Sequence, residues 1–541
     1  MRRADVVAAV LVVSVAVALW LPRKGGPIDL RWDAGVYYIL GTSLAEGHGY
    51  RLLNEPGQIA AVQYPPLLPA IVAVHQRLLG TTDPTTVGIW LRRTSFVVFV
   101  AFALVLLWFF RTYLPVSEAV LGTMVSLLAL QAWFLADALF PELWFGIATL
   151  LFLIFLRNRS SSRAATYIFA LASYALRTIG IAAFVVWVAD SVIKRRLREA
   201  ALRAVLALIP IAAWQGYVAT VEHSDAYAHP AYEYQRAPYM FYNVSYARNL
   251  TLRDPSDPAK GGVKIFRRAV RGALELPANL GEVLTSARGY LNMWVRAFGL
   301  GRADDGILAA VLFAALWLIG LVVVGGGVVR LLARGEWQAP LYLVVYLAAL
   351  SVTPFLNQNL RYLMPVSALP VLSALMFFRT RGTRTTFVVF GAMLLVQLAV
   401  VMRVFTHDYE PVAYRDACDM PVSYKLFFYP PAERGFDEAL DYLRAHAHPP
   451  QIVAAGTPHR IYLRTGLQAV MPPFERDPVK TQRLLESVPV DFLLVGDDVI
   501  KSERFTGPAV RMFADRWQPV YSTSVGGWTV YRRVAHPPRD L

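Results

Sequence analysis

Apolar runs of near-spanning length recur from the N-terminus to residue 405, separated by short polar or basic punctuation, and then they stop. They cover residues 5–20, 94–110, 116–135, 143–156, 179–193, 201–221, 307–329, 339–353, 363–378 and 387–405. A helix needs about 20 residues to cross a hydrocarbon core of ~30 Å, so each run is predicted to be a transmembrane helix. A shorter run, 164–176, must tilt, borrow flanking residues or be re-entrant. Counting it gives about eleven crossings. Beyond 405 the pattern changes: strand-like stretches at 451–455, 491–495, 519–523 and 528–532 alternate with helical ones at 436–445, 479–486 and 509–515. That alternation predicts a small α/β domain over 406–541.

The sidedness of the loops turns on residues 65–79. Counted as a span, this segment would reverse every loop after it. His75, Gln76 and Arg77 within it suit a helix lying at the interface. With the segment outside the membrane, the clusters Arg157/Arg159/Arg163, Lys194/Arg195/Arg196/Arg198, Arg330/Arg334 and Arg379/Arg381/Arg384 all share a side with Arg2 and Arg3. The positive-inside rule makes that side cytoplasmic. Arg2 and Arg3 before an apolar run also describe a signal peptide, but Leu21-Pro22-Arg23-Lys24 offers no small-residue cleavage site, so the run reads as an uncleaved anchor.

Three external loops follow, at 21–93, 136–142 and 222–304, and the C-terminal domain is external too. The third loop holds Tyr227, Tyr232, Tyr234, Tyr239, Tyr242 and Tyr246, a Pro/Asp/Gly stretch at 254–262, and a basic segment with Lys264, Arg267, Arg268 and Arg271. Its predicted place is the bilayer surface, with the tyrosines forming an interfacial belt.

Composition agrees: 56% of the 541 residues are hydrophobic and 17% charged, where a soluble chain carries about 25% charged. Mean hydropathy is +0.43. The net charge of +15 could suggest a nucleic-acid binder, but the Lys and Arg residues are scattered between apolar runs. Lipid headgroups and phosphates are the expected partners, and nucleic acid is not. One cysteine, Cys418, excludes an internal disulfide and a multi-cysteine metal site.

Six polar residues of chemical interest, Asp33, Tyr64, Asp137, Glu142, Arg177 and Arg361, fall on the external side of this topology. A carboxylate at the mouth of a membrane helix costs several kcal/mol unless it is solvated or working, which marks Asp33 as a site candidate. Capping its helix is the alternative for Asp33, and Pro141-Glu142 fits an ordinary first helical turn equally well.

The order Asp33, then Ala45-Glu46-Gly47-His48-Gly49-Tyr50, Tyr64-Pro65-Pro66-Leu67, Asp137, Pro141-Glu142, Leu176-Arg177 and Arg361-Tyr362-Leu363-Met364-Pro365 resembles bacterial GT-C glycosyltransferases. These are polyprenyl-phosphate-sugar-dependent enzymes related to protein O-mannosyltransferases and aminoarabinose transferases. The resemblance covers residues 1–405 and implies a polytopic α-helical membrane protein of GT-C type. It would transfer a sugar from a polyprenyl-phosphate donor to an envelope glycan, lipid or protein acceptor outside the inner (plasma) membrane. On this reading Asp33 takes the acceptor proton and Glu142 or Asp137 supplies a second acid. Arg361 and Arg177 hold the donor phosphate, because a planar guanidinium grips phosphate oxygens in pairs. Tyr64, Tyr362 and Arg93 complete the donor-side candidates, although Arg92 and Arg93 also fit interface anchors and the other arginines could snorkel.

No Asp-x-Asp occurs in the first two external loops, and Asp304-Asp305 and Asp497-Asp498 read as turn residues. His48, His75 and His459 stand alone, so no obligatory metal or cofactor is expected. An O-antigen ligase or polymerase-like enzyme is the alternative within enzymes. A transporter would instead show ionisable residues mid-helix and inverted repeats, which are not found.

Overall fold

The computed structural model describes residues 3–158, 162–251, 265–297, 306–415, 421–496 and 502–534. Lys264, Asp304, Asp305, Cys418, Asp497 and Asp498 lie outside them.

Helices dominate up to residue 407. Among the described residues, five are long and apolar enough to cross a membrane: Arg3–Arg23, Pro84–Arg111, Leu197–Glu222, Gly306–Ala333 and Thr383–His407. A pair bent by 70°, Leu356–Val366 and Ala368–Arg379, makes a sixth if taken as one span. Several others are shorter, among them Val116–Leu128, Glu142–Arg157, Arg163–Leu176, Ile181–Ile193 and Gln338–Ser351. Leu202, Val205, Leu208 and Ile209 on Leu197–Glu222, and Ile307 and Val311 on Gly306–Leu318, point outward and are exposed. Such contiguous apolar faces suit lipid and would be a liability in water, as befits a helical protein of membrane type.

Local chemistry explains several helix ends. Pro84–Arg111 opens with Pro84 at its first position, and the Asp83 side chain accepts from the Thr86 amide at 2.7 Å. The expected run 116–135 is instead two helices, Val116–Leu128 and Leu130–Leu135, because Ala129 takes ψ 130° between them.

The basic segment continues into a packed helix that the sequence reading did not anticipate. Residues 265–271 open helix Ile265–Thr285 and are largely exposed, while the rest of the same helix buries Gly272, Leu276, Ala278 and Gly281 between neighbouring helices. Backbones meet there: a Cβ added at Gly281 would lie 2.1 Å from the Leu316 carbonyl oxygen, and one at Gly320 would lie 1.8 Å from that of Pro277. Small residues permit this approach. The arginines were conspicuous in the sequence; the small-residue face on the same helix was not.

After Thr383–His407 come two antiparallel strands, β1 (Tyr409–Arg415) and β2 (Pro421–Phe427). A five-stranded sheet follows, with β3 Ile452–Ala454, β4 Gln468–Val470, β5 Val490–Val495, β6 Trp517–Ser522 and β7 Thr529–Arg533. Its order is β4-β3-β5-β7-β6, and β3 pairs in parallel with β4 and β5 while β7 runs antiparallel to β5 and β6. Helix Pro458–Thr465 makes the crossover from β3 to β4.

This sheet region is bolted to the loops of the helical part. The Ala469 amide donates to the Asn54 carbonyl at 2.8 Å, and the Tyr234 hydroxyl donates to the Met471 carbonyl at 3.1 Å. Tyr232 donates to the buried Glu55 carboxylate at 2.8 Å. Tyr227, Tyr232, Tyr234 and Tyr242 are all buried and do not form an interfacial belt; the last three pack in one cluster with Val470 and Met471.

Candidate active site

Four separate helix ends meet at one point. Asp33 is the first residue of helix Asp33–Ala45, and Glu142 the first of Glu142–Arg157. Arg177 follows Arg163–Leu176, and Arg361 lies in the one-turn helix Asn359–Leu363. Carboxylates at helix N-termini are stabilised by the unpaired amides there, so each acid is held where its own helix favours it.

The Arg361 guanidinium bridges the two acids. Its Nε donates to Glu142 Oε1 at 2.6 Å and its Nη1 to Asp33 Oδ2 at 2.8 Å. Arg177 Nη1 donates to the same Glu142 oxygen at 2.5 Å. Two carboxylates and two guanidiniums leave the cluster formally neutral. Aromatic faces line it: Arg361 lies 4.0 Å from the Phe140 ring centroid and Arg177 4.8 Å from that of Tyr362. Tyr64 packs beside Tyr37 at 4.7 Å between centroids.

The two acids differ in access. The Glu142 side chain is 0% exposed, beneath both arginines, whereas that of Asp33 is 23% exposed. Asp33 is therefore reachable from outside, and Glu142 is enclosed beneath the guanidiniums. Burial pushes the Asp33 carboxyl up, but the Arg361 charge and hydrogen bond outweigh it and hold the group below the usual carboxylate range.

Backbone strain sets the aim of Asp33. Trp32 sits at φ 55°, ψ −141°, a conformation costing a side-chain-bearing residue roughly 1–3 kcal/mol. Its ring is clamped by Phe134 and Phe140, at centroid distances of 5.9 and 6.5 Å. Arg31 anchors the same turn through Asp29, with Nη2 to Oδ2 at 2.7 Å, and through the Phe427 and Phe428 carbonyls at 2.7 and 2.8 Å.

Two residues join the site that the sequence did not nominate. The Tyr242 hydroxyl donates to Asp33 Oδ1 at 3.2 Å, and the buried His459 ring lies edge-on to Tyr242 at 5.4 Å. Neither had a local signal, because Tyr242 reads as one loop tyrosine among many and His459 as a lone histidine.

Asp137 and Arg93 are not brought to this cluster. Asp137 is buried in a second group, with Arg92 Nη1 at 3.4 Å and Arg23 Nη1 at 3.7 Å. Arg92, read from sequence as an interface anchor, is 1% exposed and donates to the Arg23 carbonyl at 2.6 Å. Its place is internal. Arg93 is exposed over the Trp90 ring at 4.4 Å, the placement expected of an anchor. Among the described residues no group of three His, Cys, Asp or Glu side chains is arranged to hold a metal ion.

No family model matches the chain, and no curated protein sequence matches it. Solved structures do. The apo oligosaccharyltransferase of Archaeoglobus fulgidus is 12% identical over 96% of this chain and 74% of its own, with a TM-score of 0.53. The AglB oligosaccharyltransferase of the same organism, in complex with an inhibitory peptide and a dolichol-phosphate, is 12% identical over 98% of this chain and 74% of its own, with a TM-score of 0.50. ArnT from Cupriavidus metallidurans bound to undecaprenyl phosphate is 14% identical over 98% and 99%, at a TM-score of 0.43. The chain thus has the fold of GT-C glycosyltransferases, the class its ordered motifs resemble.

Proposed function

We propose that this chain is a membrane glycosyltransferase that moves a sugar from a polyprenyl-phosphate donor to a hydroxyl-bearing acceptor at the extracytoplasmic face. The observation carrying this reading is the Arg361 bridge: one guanidinium shared by a locked acid, Glu142, and an accessible one, Asp33. A site built to take an anion needs cations prepositioned yet neutralised while empty, and a transfer needs a base beside them. The dolichol-phosphate bound to the similarly folded AglB supports the lipid-phosphate class of donor.

In this reaction the bond between the anomeric carbon and the phosphate oxygen breaks, and the electron pair leaves with the phosphate. A bond forms from the anomeric carbon to the acceptor oxygen, whose proton passes to Asp33. Arg361 and Arg177 stabilise the charge growing on the phosphate, and Glu142 orients both. Donor binding also arms the base. Once the phosphate draws Arg361 from Asp33, the carboxylate loses the partner that held its proton affinity down, and it becomes a stronger base as the acceptor arrives.

Mass spectrometry of envelope glycans tests the function. A sugar mass should vanish on deletion, return with the wild-type chain, and stay absent with Asp33→Asn; unchanged glycans in all three strains would remove the reading.

The same reading places the chain in the inner membrane with about eleven crossings, a cytoplasmic N-terminus and the C-terminal domain outside. In a background with Cys418 replaced by serine, His48→Cys and Arg511→Cys, both at exposed positions, should react with an impermeant maleimide in spheroplasts. Arg381→Cys should react only after lysis. The opposite pattern would move the site to the cytoplasm and require a different donor class.

A further inference from the structure

The C-terminal sheet region sends one side chain into the site. His459 is the second residue of helix Pro458–Thr465, and it is 1% exposed. It occupies space that exists only because residue 35 is glycine: a Cβ there would lie 2.5 Å from His459 Cδ2 and 2.9 Å from the Leu30 carbonyl oxygen. Gly35 is two residues beyond Asp33, so the ring touches the first turn of the helix that carries the accessible acid. Its edge-on contact with Tyr242, 5.4 Å between centroids, meets the residue whose hydroxyl holds Asp33 Oδ1.

Neither His459 nitrogen completes a hydrogen bond of good geometry among the described residues, although the Trp32 backbone is close enough to bear on the ring. A buried polar group left so costs about 1–3 kcal/mol, and an apolar side chain would fill the same space at less cost. The next residue fixes the ring: Arg460 is paired with Asp437, Nη2 to Oδ1 at 2.6 Å, and with Glu433. Burial pushes the imidazole down to about 4 against the pull of the Asp33 charge, so the ring is neutral at working pH and adds no cation to the two guanidiniums.

We propose that the C-terminal domain completes the active site, with His459 as a positioning residue that seats Tyr242 and, through it, the Asp33 carboxylate. The sheet region is then a working part of the transferase: when it is docked, Asp33 is held between Tyr242 and Arg361; when it shifts, the base loses one of its two supports. The inference rests on Asp33 being the base.

A double-mutant cycle in the full-length enzyme tests it, with His459→Ala, Tyr242→Phe and both together. Each single variant is expected to lower kcat about tenfold or more with the donor KM changed less than about threefold, and the double variant should be no worse than the poorer single one. The acid limb of the kcat/KM profile should move to higher pH in His459→Ala and Tyr242→Phe alike, because losing a hydrogen bond to the charged carboxylate raises its pKa. A packing role alone would lower thermal stability and leave that limb in place. If His459→Ala does not fold, His459→Asn, smaller but still polar, takes its place in the cycle. Wild-type kcat in the folded His459 variant, fully additive effects, or an unmoved acid limb would each overturn the proposal. These failures are separate from failure of the base assignment, which requires that Asp33→Asn itself stay active.

Discussion

Asp33→Asn should lower kcat by ~10² to 10⁴ while yield and chromatographic behaviour stay near wild type. The amide keeps the outline of the carboxylate, and its oxygen can still accept from Tyr242 or Arg361. It cannot accept the acceptor's proton, so loss of the chemical step without loss of the fold is the signature of a general base. Removing this charge leaves Arg361 paired with Glu142 alone, and a modest fall in thermal stability belongs to the same expectation. The pH dependence carries a sign. The Asp33 carboxyl of the empty site is held below the usual range, so kcat/KM should fall only as the pH drops beneath an ordinary carboxylate pKa of about 4. With donor bound and Arg361 engaged by phosphate, the acid limb of kcat should lie at higher pH. Stability follows the free-site value: the contribution of a depressed carboxyl is complete above its unfolded pKa and disappears as pH falls through the folded one. Glu142→Gln is the contrasting variant. It takes the carboxylate from Arg177, leaves Arg361 with Asp33 alone, and should damage folding as much as turnover, because breaking a buried pair costs about 3–5 kcal/mol. Turnover of Asp33→Asn at the wild-type rate, with a purified lipid-phosphate donor, would remove Asp33 as the base.

The four residues of the cluster were legible in the sequence for a physical reason. Each ionisable group interrupts or borders an apolar run, where its cost must be met by solvent or a partner, and the topology predicted from the basic clusters put all four on one side. Which charges meet was not legible. Asp137 has the same sequence credentials as Glu142, a few residues away, yet it pairs with Arg23 and Arg92 in a closed group. Only tertiary packing separates them. Tyr242 meets Asp33 across 209 residues of chain, and no period of 2 or 3.6 encodes such a contact. In the C-terminal region β3, β5, β6 and β7 announced themselves by alternation, whereas β1, β2, β4 and helix Pro458–Thr465 did not. That helix carries the histidine nearest the site. The tyrosines of the third loop were assigned to an interface on composition, and burial among Glu55, Met471 and Asp33 is what their hydroxyl contacts show.

Arg361 should prove more sensitive to its geometry than to its charge. One guanidinium donates through Nε to Glu142 and through Nη1 to Asp33 at the same time, 2.6 and 2.8 Å away. A lysine ammonium is a single point charge on a flexible stem and cannot reproduce that fork, so Arg361→Lys should keep the fold, raise the donor KM and lose about tenfold in kcat/KM. Arg361→Ala also removes the charge that faces the departing phosphate, and a further fall to a total of ~10² to 10³ is expected. A residue that only reached for lipid headgroups would tolerate lysine almost freely, since either cation snorkels. Thermal unfolding must accompany the kinetics, because truncation leaves the fully buried Glu142 with Arg177 as its only guanidinium. Donor titrations of Arg361→Lys, Arg361→Ala and Arg177→Ala then separate the roles. Stepwise loss at position 361 with rising donor KM places the phosphate there. An unchanged donor dependence in folded Arg361→Ala excludes it and transfers the phosphate role to Arg177, whose guanidinium shares the same Glu142 oxygen and would remain able to turn toward the anion.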